Sequence, residues 1–103
     1  MSKRKYKEIK SFLYDLKKDF RIEKVIFFGS RASGAENKNS DIDLIIVSDD
    51  FRSMDFFERV TKMYKYWKIN VPVDFICYTV KEFEIMKKRA SIVREALNNG
   101  IVV

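Results

Sequence analysis

Apolar residues at the start of the chain recur at helical spacing. Tyr6, Ile9, Leu13, Leu16 and Phe20 lie three or four apart with lysines and acids between them, which predicts an amphipathic helix over roughly 3–20. The period then changes. Val25-Ile26-Phe27-Phe28 is a β-branched and aromatic run that stops at Gly29, as a short buried strand would. Residues 29–40 hold two of the three glycines, two asparagines and three serines, so they are expected to be mostly loop, with one helical turn after Ser30.

A second strand is expected over 41–47. It alternates at its start, Asp41-Ile42-Asp43, and is then continuously apolar. Residues 48–53 read as a turn. From Met54 to Lys68, Phe57, Val60, Tyr64 and Trp67 form one helical stripe, and Asn70 and Pro72 break that helix. Val73–Tyr78 predicts a third strand. Thr79 is a good N-cap with Glu82 at the capping-box position, and Asn98-Asn99-Gly100 stops the helix that follows. A short apolar tail, 101–103, ends the sequence. The order α-β-loop-β-α-β-α implies an α/β sandwich with helices against a small sheet.

Length and composition narrow the class. The 103 residues fit one small domain spanning 1–103, with a modest core. No repeat, linker or low-complexity segment divides them. A composition of 47% apolar and 15% aromatic residues argues for a globular chain rather than a disordered one. No apolar run approaches the roughly 20 residues needed to span a bilayer, and 1–10 lack the apolar stretch of a secretion signal. A cytoplasmic protein is therefore expected. The single cysteine, Cys77, allows no internal disulfide and reads as a small buried hydrophobe.

Charge and chemistry narrow it further. The formal charge is +6, which suits either a polyanionic ligand or plain solubility. The absence of histidine removes His–Cys zinc sites and histidine-based triads. Any metal site must be built from oxygen ligands, which suit magnesium, manganese or calcium.

Three places can carry such chemistry. Asp41 and Asp43 would project to the same side of a strand, with Ile42 opposite. They are either two solvated acids at a strand edge or a pair that binds a cation. Asp74 interrupts the apolar run of the third strand, where an acid needs a lysine partner or a site to serve. Gly29-Ser30 is either a simple turn or a close backbone approach to a phosphate, with Arg31 adding forked donors.

The sequence resembles the minimal nucleotidyltransferases of the polymerase-beta-type superfamily. Their signature is Gly-Ser, ten residues, then Asp-x-Asp. It stands here as Gly29-Ser30, residues 31–40 and Asp41-Ile42-Asp43. The surrounding Phe27-Phe28-Gly29-Ser30-Arg31-Ala32 and Ser40-Asp41-Ile42-Asp43-Leu44, Asp74, and the closing residues 95–101 are also similar to the family. The resemblance implies a polymerase-beta-like fold, a small mixed sheet packed by helices. It implies that Gly29 and Ser30 hold the β- and γ-phosphates. Asp41, Asp43 and Asp74 would hold two Mg2+ ions, with Mn2+ as an alternative, and Asp74 would serve as the base for the acceptor hydroxyl. Ser33 stands where many members carry a second arginine, which weakens phosphate contact in the loop unless Lys38 substitutes.

Members of this small class are often antitoxins paired with an all-helical HEPN-type toxin, and some inactivate it by adding AMP. The expected function is therefore metal-dependent transfer of a nucleoside monophosphate, AMP from ATP, onto a partner protein. The alternative is a non-catalytic antitoxin that neutralises its partner by complex formation. Direct nucleic-acid binding is disfavoured, because no aromatic–basic platform with recognisable spacing is evident. Homo-oligomerisation is left open.

Overall fold

The computed structural model describes residues 3–28, 42–89 and 91–103. The elements run α1 (Lys3–Asp19), β1 (Lys24–Phe28), β2 (Ile42–Val47), a 3-10 turn (Asp49–Ser53), α2 (Phe56–Tyr64), β3 (Val73–Tyr78), α3 (Val80–Arg89), α4 (Ser91–Asn99) and β4 (Ile101–Val102). The strands form a mixed sheet in the order β3-β2-β1-β4. β1 is antiparallel to β2 and to β4, whereas β2 and β3 are parallel. A parallel pair needs a crossover of a dozen residues or more, and the 3-10 turn and α2 supply it. The sequence expectation of a small mixed sheet packed by helices is what the structure contains. Among the described residues, no helix is long and apolar enough to cross a membrane.

Alternation along the strands sends side chains to two faces. Val25, Phe27, Leu44, Ile46, Val73, Phe75 and Cys77 face α1 and α2, where Ile9, Phe12, Leu13, Leu16 and Met63 complete the larger core cluster. Ile26, Ile45 and Val47 face α3 and α4, which contribute Phe83, Val93 and Ala96 to a smaller one. Cys77 is buried in the first cluster, and burial pushes its thiol up to about 12.

Three sequence expectations need correction. The second helix is shorter than 54–68 and its inward face is offset from the expected stripe: Val60 and Trp67 do pack against the larger core cluster, but Phe57 does not. Phe57 is 78% exposed, while Arg59 and Met63 are buried. Trp67 lies beyond the helix, where its indole N–H donates to the Val71 carbonyl at 3.0 Å. The helix after Thr79 is two helices. A single helix over 80–99 would be about 30 Å long, far beyond strands of five or six residues. Two shorter helices instead each reach the sheet, through Phe83 and through Val93 and Ala96. The terminal tail is a strand: Phe27 pairs with Ile101 and Ile26 with Val102. Gly100 permits that turn, because a Cβ there would lie 2.4 Å from the Ala96 carbonyl oxygen and 3.0 Å from that of Phe27.

The caps agree with the sequence. Thr79 Oγ1 accepts from the Glu82 amide at 3.2 Å, and Glu82 Oε1 accepts from the Thr79 amide at 2.8 Å. Ser48 starts the 3-10 turn by accepting from the Asp50 amide, and its hydroxyl donates to the Arg21 carbonyl at 2.8 Å.

Candidate active site

Three strands end at one edge of the sheet. Phe28 closes β1 opposite Asp43 near the start of β2, and Asp43 pairs in register with Asp74 near the start of β3. Strand neighbours lie roughly 5 Å apart, so the two carboxylates stand side by side. Both occupy the α3/α4 side of the sheet. Along β2, Asp43 precedes Ile45 and Val47, and along β3, Asp74 precedes Ile76 and Tyr78.

Packing on the opposite side fixes them there. Ile42 is fully buried and Val73 nearly so, both in the larger cluster. The Ile42 amide donates to the Pro72 carbonyl at 3.0 Å, which ties the two strand starts together. With residues 42 and 73 locked inward, 43 and 74 must project to the other face. The smaller core cluster takes Ile45 and Val47 from β2 but not Asp43, which is half-buried, while Asp74 is exposed. The sequence argument that Asp74 is an acid inside an apolar strand therefore needs revision. β3 is an edge strand, and its first position on this face is open to solvent.

Of the residues singled out from the sequence, Asp43 and Asp74 are thus brought together. Gly29, Ser30, Arg31 and Asp41 lie outside the described residues, as do Ser33 and Lys38. Gly29 follows directly on Phe28, which is the β1 residue beside Asp43. Among the described residues, no group of three or more His, Cys, Asp or Glu side chains is placed to hold a metal ion.

The donor chemistry can still be tested for fit. Like charges directly opposite on neighbouring strands repel, and a hard divalent cation relieves that repulsion. Among the described residues, the side-chain donors at this edge are the carboxylates of Asp43 and Asp74. The thiol of Cys77 stays protonated and faces the opposite cluster. These donors fit magnesium or manganese rather than zinc.

A second feature has no precedent in the sequence reading. Arg59 on α2 is only 8% exposed. Its Nε donates to the carbonyls of Phe51 and Met54, both at 3.1 Å, and its Nη1 to that of Cys77 at 3.2 Å. Its two terminal nitrogens grip Glu82 at 2.6 and 3.2 Å. The Arg59 guanidinium holds the Glu82 carboxyl below its usual range. The pair forms one wall of a groove of about 400 Å3 between α2 and α3, bordered also by Met54, Phe56, Ile85 and Met86. Helical spacing gave the available signal, since Arg59 and Met63 lie four apart on one face, but an arginine there reads as solvent-facing.

A family model described as the nucleotidyltransferase domain matches residues 7–103. No curated protein gives a significant match. Among solved structures, the chain is similar to a candidate nucleotidyltransferase from Sulfolobus solfataricus, at 26% identity and a TM-score of 0.66, over 93% of this chain and 76% of that one. Its fold is also similar to that of a toxin–antitoxin structure with AMP-PNP, at 19% identity and a TM-score of 0.59, over 93% of this chain and 69% of that one.

Proposed function

The chain belongs to the nucleotidyltransferase domain family, and from that premise we propose that it moves AMP from ATP onto a hydroxyl of a partner protein. The observation that supports this most directly is the register that sets Asp43 beside Asp74 at the end of β1. In this reading Gly29 and Ser30 cradle the β- and γ-phosphates, Arg31 adds positive charge, and Asp41, Asp43 and Asp74 hold two Mg2+ or Mn2+ ions. Divalent ions bound there neutralise the triphosphate and polarise the acceptor oxygen. Asp74 takes the proton from the acceptor hydroxyl. The acceptor oxygen bonds to the α-phosphorus, the bond from that phosphorus to the bridging oxygen breaks, and pyrophosphate leaves.

The acceptor we propose is a HEPN-type toxin. The fold shared with a toxin–antitoxin structure with AMP-PNP motivates that choice. A second reading, a non-catalytic antitoxin acting by complex formation, is favoured by the apolar side chains of Phe56, Phe57 and Ile85, which stand exposed on α2 and α3. Calorimetry with ATP, GTP, CTP and UTP, with magnesium and with chelator, tests the enzyme. We expect ATP to bind only with metal and Asp43→Asn to lose both binding and transfer of labelled AMP. Transfer by Asp43→Asn at the wild-type rate would sink the ligand assignment. Suppression of the partner by that variant, without transfer, would favour the second reading.

A further inference from the structure

The outer face of α1 is a continuous basic surface with an exposed tyrosine at its centre. At about 100° per residue, Lys7, Lys10, Tyr14, Lys17 and Lys18 fall within an arc of about 100°, and all five are exposed. Tyr14 is 68% exposed, with the Lys18 ammonium 4.7 Å from its ring centroid. Tyr6, one turn before Lys10, repeats the arrangement at 5.1 Å. No acid lies within that arc. Glu8, Asp15 and Asp19 all fall on one flank, where Asp19 accepts from the Tyr66 hydroxyl, and Glu8 and Asp15 border a cleft beside Tyr66 and Lys68.

This segregation separates two explanations of the positive charge. Lysines kept for solubility are interspersed with acids on the same face. Here α1 carries seven basic and three acidic residues, a net +4 of the chain's +6, and the acids lie along one flank of the basic face rather than within it. Lys18 reaches Asp15 at 3.8 Å, an exposed pair worth little. A large aromatic left in solvent among lysines costs apolar exposure and contributes nothing to the core. It is, however, the arrangement that stacks on an unpaired base while ammonium groups meet the flanking phosphates.

We propose that the outer face of α1 binds single-stranded nucleic acid, with Lys7, Lys10, Lys17 and Lys18 on the phosphates and Tyr14 stacked on a base. The surface spans about 16 Å of helix. It lies on the side of the sheet opposite Asp43 and Asp74, so it is a docking surface separate from the transfer site.

Fluorescence anisotropy with a labelled single-stranded RNA of mixed sequence, the matching duplex, heparin and poly-glutamate tests this in chelator, where the proposed transfer site is idle. The single strand should bind most tightly. Its affinity should fall with salt at a log–log slope of roughly −2 to −3, from about 0.7 per phosphate contacted. Lys10→Glu with Lys17→Glu should weaken binding at least tenfold. Tyr14→Ala should weaken it about tenfold, and Tyr14→Phe should restore it. Asp43→Asn should bind like wild type, which keeps this result independent of the enzyme reading. Circular dichroism should show all variants folded, since every altered α1 side chain is exposed. Absence of single-strand binding, indifference to the α1 variants, or equal affinity for heparin or poly-glutamate with Tyr14→Ala neutral would each overturn the proposal.

Discussion

On one side of the sheet, α1 and α2 bury Ile9, Phe12, Leu13, Leu16 and Met63 against Phe27, Leu44 and Phe75. On the other, among the described residues, the buried side chains that α3 and α4 set against Ile26, Ile45 and Val47 are Phe83, Val93 and Ala96, flanked by the partly buried Val80, Met86 and Leu97. The first side also holds an aromatic cluster: Phe12 and Phe75 stack at 5.8 Å, and Trp67 meets both edge-on at 5.1 and 5.8 Å. The difference shows how a chain this small can hold both a core and a site. Among the described residues, buried apolar side chains are concentrated on the α1/α2 side, while on the other side Asp43 is half-buried and Asp74 exposed at the starts of β2 and β3. Alternate residues of the same strands supply the core on one face and, in the proposed function, the carboxylates of the site on the other.

The largest test of that division is a pair of truncations. Phe27→Ala opens a cavity in the thick side and should cost about 4 kcal/mol, a large share of the stability expected of such a domain. Phe83→Ala removes the same ring from the thin side, where the partly buried Val80, Met86 and Tyr78 beside it can shift into the space, and should cost about 3 kcal/mol. Urea titration reads both. Equal losses would show that the two faces contribute alike.

A smaller effect of opposite sign is expected at the site edge. Asp74→Asn removes one of two like charges in register, so in chelator it should stabilise the domain by about 0.5 kcal/mol. That corresponds to a rise in Tm of about 2–4 °C. Magnesium with ATP should raise the Tm of the wild type and leave that of the variant unchanged. A variant destabilised in chelator would mean that Asp74 is a structural acid.

The smallest effect concerns the α2–α3 groove. Arg59 depresses the Glu82 pKa, so the pair contributes stability above the usual glutamate value near 4.5 and loses it as pH falls through the lowered value. Glu82→Gln should therefore lower the Tm slightly at neutral pH and flatten its decline in acid. Thermal melts from about pH 3 to 7 follow this, and parallel curves for both proteins would remove the pair from the acid response.

Much of this architecture was legible in the residues. The change from helical spacing at Tyr6–Phe20 to the apolar run Val25–Phe28 marks α1 and β1 because each period reports which face is buried. The Thr79–Glu82 box marks the start of α3 because capping is satisfied within four residues. The errors all depended on distant partners. Phe57 fits a helical stripe but is exposed, while Tyr64 reaches β3 only at its rim, its ring edge-on to Phe75 and its hydroxyl on the Val73 carbonyl, and Arg59 takes the buried place on the Cys77 carbonyl. Residues 101–102 are too few to signal a strand and become one only because β1 offers a free edge. Tyr14 was indistinguishable from any aromatic of an amphipathic helix until α1 was oriented on the sheet.

The sequence by itself determined the alternating strands, the helix caps, an oxygen-only donor set without histidine and the spacing of Gly29-Ser30 from Asp41 and Asp43. These depend on residue type and on neighbours a few positions away. Only the tertiary structure decided that Asp74 stands beside Asp43, that Arg59 is buried against three backbone carbonyls in and just after the 3-10 turn and in β3, and that Tyr14 and the exposed lysines of α1 face away from the sheet. Strand register and helix orientation are set by which apolar faces pack together, and that sum over long-range contacts is written in no single segment of the chain.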